Sequence, residues 1–71
     1  PPANELLALL NAAKGGDILD IRSRIDHLEQ VNRAFRPFTT QIRELAKNFQ
    51  IRQLCHLFET YLEEDSHGTD R

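Results

Sequence analysis

The chain has 71 residues, of which 39% are hydrophobic, 28% charged and 7% aromatic, and nine Lys and Arg stand against eleven Asp and Glu for a net charge of −2. That is one small domain; the single Cys55 excludes a disulfide scaffold, and one Cys with three scattered His excludes a zinc module, which needs about four clustered ligands. No apolar run nears the about 18–20 residues of a membrane span, no signal-peptide pattern is present, and the negative balance argues against a general nucleic-acid binder.

Pro1-Pro2 without a methionine predicts a piece of a larger protein, with residues 1–4 a linker remnant and residues 5–64 a single helical domain. Leu6, Leu9, Leu10 and Ala13 recur at i, i+3, i+4 and i+7, one apolar stripe. Asn4 is the expected cap, and Gly15-Gly16 the stop, of a helix over 5–14. Asp17 is a good N-cap for a second helix, with Asp20 three residues on at the positive end of the helix dipole. Ile18, Ile21, Ile25 and Leu28 mark its stripe over 18–32, and the two-glycine joint predicts a helical hairpin.

Residues 32–37 break the pattern, and Pro37 reads as the first turn of a third helix over 37–48. Phe38, Ile42, Leu45, Ala46 and Phe49 give its stripe, and Asn48 is the candidate for a left-handed ending. Ile51, Leu54, Cys55, Phe58, Tyr61 and Leu62 give a fourth stripe over 51–63, unless helices three and four are one kinked helix. Residues 65–71 read as a disordered tail. No strand pattern and no repeat long enough for a solenoid is present, so the fold class is all-α, a compact bundle of four short helices in up-down hairpins. Leu7, Leu19 and Leu57 lie off the stripes and are expected to widen the core, with an exposed patch for a partner or a second copy as the alternative.

Charge is spread unevenly. Residues 22–52 hold seven cations against Asp26, Glu29 and Glu44, and residues 53–71 hold five carboxylates against Arg71. Pairing between helix faces accounts for such a surface; a docking face is the functional alternative. Arg22, Arg24, Arg33, Arg36 and Arg43 are the candidate interaction surface, since arginine forks suit carboxylates and phosphates. Phe35 and Phe38 beside them are expected to pin the joint into the core. Cys55 on an apolar stripe reads as a buried structural thiol, and His56 points about 100° away from it around the helix. His27 is a weak phosphoacceptor candidate, with a solvated histidine the plainer reading. His27, His56 and His67 share no i, i+4 ligand pair, and Glu59, Glu63 and Glu64 read as a solvated acidic helix end. No catalytic residue, metal ligand or cofactor is expected.

Five runs together suggest a family: Gly16-Asp17-Ile18-x-x-Ile21-Arg22, Leu28-Glu29-Gln30, Pro37-Phe38, Ile42-x-x-Leu45-Ala46-Lys47-x-Phe49-Gln50 and Phe58-x-x-Tyr61-Leu62. Over about residues 5–63 the chain resembles the small helical domain at the C-terminal end of many bacterial hybrid sensor histidine kinases and related response-regulator proteins. There it follows a receiver or kinase domain through a proline-rich join, which Pro1-Pro2 resembles. The resemblance implies a cytoplasmic, non-enzymatic accessory module of a two-component system whose parent is a sensor histidine kinase. Its partner would be a receiver, a kinase or a downstream protein, with no nucleic acid and no membrane insertion. The alternatives are a phosphotransfer relay through His27 and a homodimerising bundle. Histidine phosphotransfer domains carry lysine three and glycine four residues after their histidine. Here Gln30 and Val31 follow His27, and Glu59 and Thr60 follow His56, which counts against the relay.

Overall fold

A computed structural model describes residues 3–69, with side chains as far as residue 64. It is an all-α bundle of four helices: α1 (Ala3–Lys14), α2 (Ile18–Val31), α3 (Arg36–Lys47) and α4 (Ile51–Thr69). A single 3-10 turn, Arg33–Phe35, links α2 to α3. The predicted stripes supply the core: Leu6, Leu9, Leu10 and Ala13 from α1, Ile21, Ile25 and Leu28 from α2, Phe38, Ile42 and Ala46 from α3, and Leu54 and Phe58 from α4. Phe38 meets Tyr61 edge-on, ring centroids 4.9 Å apart. Each helix touches two others, in the cyclic order α1, α2, α3, α4, so α1 packs against α4 and closes the ring.

Several boundaries differ from the sequence reading. Helix α1 already includes Ala3, a strong helix former, so Asn4 lies inside the first turn rather than at the cap. Asp17 does cap α2, its carboxylate accepting from the Asp20 N–H at 3.1 Å. Asn32 ends α2 in extended backbone, and its side chain accepts from the Ala34 N–H at 2.9 Å to start the 3-10 turn. Helices α3 and α4 are separate. The backbone of α4 continues to Thr69, beyond the expected end at 63 and through part of the expected tail; Asp70 and Arg71 lie outside the described residues.

The joint between α3 and α4 holds the largest departure. The left-handed residue is Phe49, with φ 57°, whereas Asn48 stays at φ −94°. Phe49 is 66% exposed and belongs to no core stripe. Its N–H donates to the Ala46 carbonyl at 3.0 Å, and the Gln50 N–H to the Leu45 carbonyl at 2.9 Å, the paired bonds of a Schellman ending. The α1–α2 joint is built the same way: the Gly16 N–H donates to Ala13 at 3.0 Å and the Asp17 N–H to Ala12 at 2.9 Å, with Gly16 at φ 70°.

The two joints correspond at an offset of 33 residues, Gly16 to Phe49. The offset also superposes the core: Leu9 on Ile42, Ala13 on Ala46, Ile18 on Ile51, Ile21 on Leu54 and Ile25 on Phe58. Thus the fold is two hairpins with similar joints, α1–α2 and α3–α4, packed against each other. The equivalence is incomplete: Phe49 stands where the first hairpin has glycine, buried Thr39 where it has Leu6, Arg43 where it has buried Leu10, and buried Phe38 where it has Glu5.

Glycine adopts a left-handed backbone freely, whereas a residue with a Cβ loses roughly 1–2 kcal/mol there. Phe49→Gly is therefore expected to raise stability by up to about 1 kcal/mol, since little packing is lost and part of the gain returns as unfolded-chain entropy. Gly16→Ala is expected to cost about 1 kcal/mol although a Cβ at Gly16 meets nothing within 4 Å. Urea unfolding of both variants checks the pair. Phe58→Ala should cost about 3–5 kcal/mol, as much as a core of this size supplies, and leave a chain whose far-ultraviolet dichroism shows little helix.

Candidate functional site

The polar surface is organised along the seam between α2 and α3, which the short 3-10 link makes antiparallel. Its centre is a four-residue network. Thr39 is fully buried among apolar side chains, and its hydroxyl donates to the Glu29 carboxylate. Arg43, one turn further along α3, donates through one Nη to Glu29 and through the other to Asp26. The planar guanidinium fork fits two carboxylates spaced i, i+3 on α2. Bonds from Arg43 and Thr39 hold the Glu29 carboxyl below its ordinary value, against the opposing effect of partial desolvation. No buried side-chain polar atom among the described residues lacks a partner.

A second cross-helix tie lies on the other side of α2. Arg24 donates Nε to Asp20 at 3.0 Å and Nη1 to Glu5 of α1 at 3.4 Å. It joins the two helices of the first hairpin, and Arg43 joins the two hairpins.

Two of the five candidate arginines, Arg24 and Arg43, thus serve the fold. Arg22, Arg33 and Arg36 are exposed and make no ion pair among the described residues. They do not form one patch. Arg33 and Arg36 rim a depression of about 430 Å³ with Asp26, Glu29 and Gln30 at one end of the seam. Arg22 lies at the other end, lining a depression of about 430 Å³ with Arg43, Ala46 and Lys47. The seam is basic at both ends and neutralised in its middle.

The remaining candidates are dispersed. His27 is exposed on α2 and His56 on α4; the side chain of His67 lies outside those described. Cys55 is half-buried against the core rather than fully enclosed. Phe38 is buried and Phe35 half-buried against the core, as expected of a pinned joint. Leu57 does widen the core, but Leu7 and Leu19 do not: they are 49% and 79% exposed, since neither faces another helix of the ring. Among the described residues no three His, Cys, Asp or Glu side chains cluster to hold a metal ion, and no helix is long and apolar enough to cross a membrane.

Sequence reasoning missed the Glu29–Thr39–Arg43–Asp26 network and the placing of Lys47 and Arg22 around one depression at an end of the seam. A lone threonine on the third stripe, at the position matching Leu6, was the available signal that a polar partner had to face it. Comparison with family models, curated proteins and solved structures finds no match to this chain.

Because the Glu29 carboxyl is held below its ordinary value of 4.5 in the folded state, its contribution to stability is present above that value. It is lost as pH falls through the lower, folded value. Wild type and Glu29→Gln are therefore expected to differ in urea midpoint at pH 7 and to converge in acid. A difference independent of pH would show that the carboxylate charge is not what the network uses.

Proposed function

We propose that this chain is a non-enzymatic protein-interaction module of a bacterial two-component signalling protein, a hybrid sensor kinase, acting in the cytoplasm. It would dock on a receiver, a kinase or a downstream partner. The observation that carries the docking reading is the division of labour among the arginines: Arg24 and Arg43 are consumed by intramolecular pairs, whereas Arg22, Arg33 and Arg36 stand exposed without one. Guanidinium groups left in water at both ends of a rigid seam suit a partner carrying carboxylates, with the seam setting the distance between the two contacts. The resemblance of the Gly-Asp-Ile, Pro-Phe and Leu-Ala-Lys-x-Phe runs to the hybrid-kinase helical domain supports the choice of partner. Phosphotransfer through His27 is the weaker reading, because Gln30 and Val31 occupy the positions where phosphotransfer domains carry lysine and glycine.

An amide chemical-shift titration of the labelled domain with the receiver domain of its parent protein, with and without a beryllofluoride phosphoryl mimic, tests the proposal. Shifts are expected at Arg22, Arg33, Arg36 and their neighbours. Reversal of Arg22 or Arg33 to Glu should weaken binding without lowering the unfolding midpoint, whereas Arg24→Ala should lower the midpoint and leave binding intact. Absence of shifts at receiver excess would overturn receiver docking.

A further inference from the structure

The second hairpin has an unfilled groove on its outer side. Gln41 and Leu45 of α3 and Arg52, Gln53, His56, Leu57 and Thr60 of α4 line a space of about 560 Å³. Leu45 and Leu57 form its apolar floor, and no carboxylate lies in it. Arg52 makes no ion pair among the described residues.

The same face of α4 changes character along its length. Residues 53, 56, 57 and 60 follow helical spacing, and the next positions on that stripe are Glu63 and Glu64. Both are exposed and neither makes an ion pair among the described residues. Glu59 with Glu63 adds an i, i+4 repulsion. Moreover α4, at 19 residues, is about 28 Å long against about 18 Å for the 12 residues of α1 or α3, so its last turns outrun the helices beside it, and Glu63 and Glu64 follow directly on Tyr61 and Leu62, which pack against the core.

A helix face that is basic at its start, apolar at its centre and acidic at its end is complementary to itself when reversed. We propose that the groove receives α4 of a second copy, running antiparallel about a two-fold axis near Leu57. Arg52 of each copy lies against Glu63 and Glu64 of the other, and the symmetry makes each contact twice. The acidic half of α4 in one chain thereby lies along the groove of its neighbour, and the two sets of unpaired charge satisfy each other.

Sedimentation equilibrium over a range of concentrations tests this. Wild type should move from the 8.2 kDa of one chain toward twice that mass, less readily at high salt. Arg52→Glu alone, and Glu63→Lys with Glu64→Lys, should each remain at the mass of one chain, because each puts like charges face to face. Mixed in equal amounts they should associate, since each supplies the charge the other lacks; both sets of positions are exposed, so the variants are expected to keep the helical dichroism of the wild type. A wild type that stays monomeric at every concentration overturns the proposal. So does a dimer indifferent to both reversals, or a mixture that fails to associate.

Discussion

Every helix but the last has 12 or 14 residues, a length at which an isolated helix in water is marginal. Each must therefore lay its apolar stripe against another, and a hairpin of two such helices still leaves its stripes open on one side. Only a second hairpin covers them. Mutual cover of two hairpins is the constraint from which the architecture follows: the cyclic order of the helices, the core drawn from all four, and the repeated joint. The ring has two inter-hairpin seams of different character. Between α1 and α4 no ion pair crosses among the described residues, and apolar burial is what joins them; between α2 and α3 the buried Thr39 and the Arg43 fork add a directional polar lock.

Fold class, helix number and nearly all core positions were legible in the sequence because each stripe has helical periodicity and the first two joints carry glycine or proline; the third, Asn48-Phe49-Gln50, carries neither. Asp17 was legible as a cap for the same local reason. What failed was non-local or relied on the usual partner of a conformation. Asparagine is a common left-handed residue, so Asn48 was the natural choice, yet the register of α3 placed the turn one residue later, on Phe49. That also removed Phe49 from its stripe and left it in water. Leu7 and Leu19 were misassigned because hydrophobicity alone does not say which side of a helix faces a gap in a four-membered ring.

The candidate surface was legible only as a list of arginines. Which of them are spent inside the fold depends on carboxylates 14 or 19 residues away, in pairs such as Arg43 with Glu29 or Arg24 with Glu5. Spacing within one helix reveals i, i+4 neighbours such as Asp20 and Arg24; the register between two antiparallel helices is set by packing and becomes visible only in three dimensions. The outcome is a sorting of like residues by role, with fork geometry and cross-helix carboxylates deciding the assignment.

The cyclic order of the helices bears on how the chain finds its fold. Three of the four interfaces join elements adjacent in sequence and need only short loops to close. The fourth, α1 against α4, joins the two ends of the chain, so its loop-closure entropy is the largest in the molecule. Folding speed falls as contacts become more distant in sequence. The most extensive interface of the ring, α1 against α4, is thus also the one whose formation costs the most closure entropy.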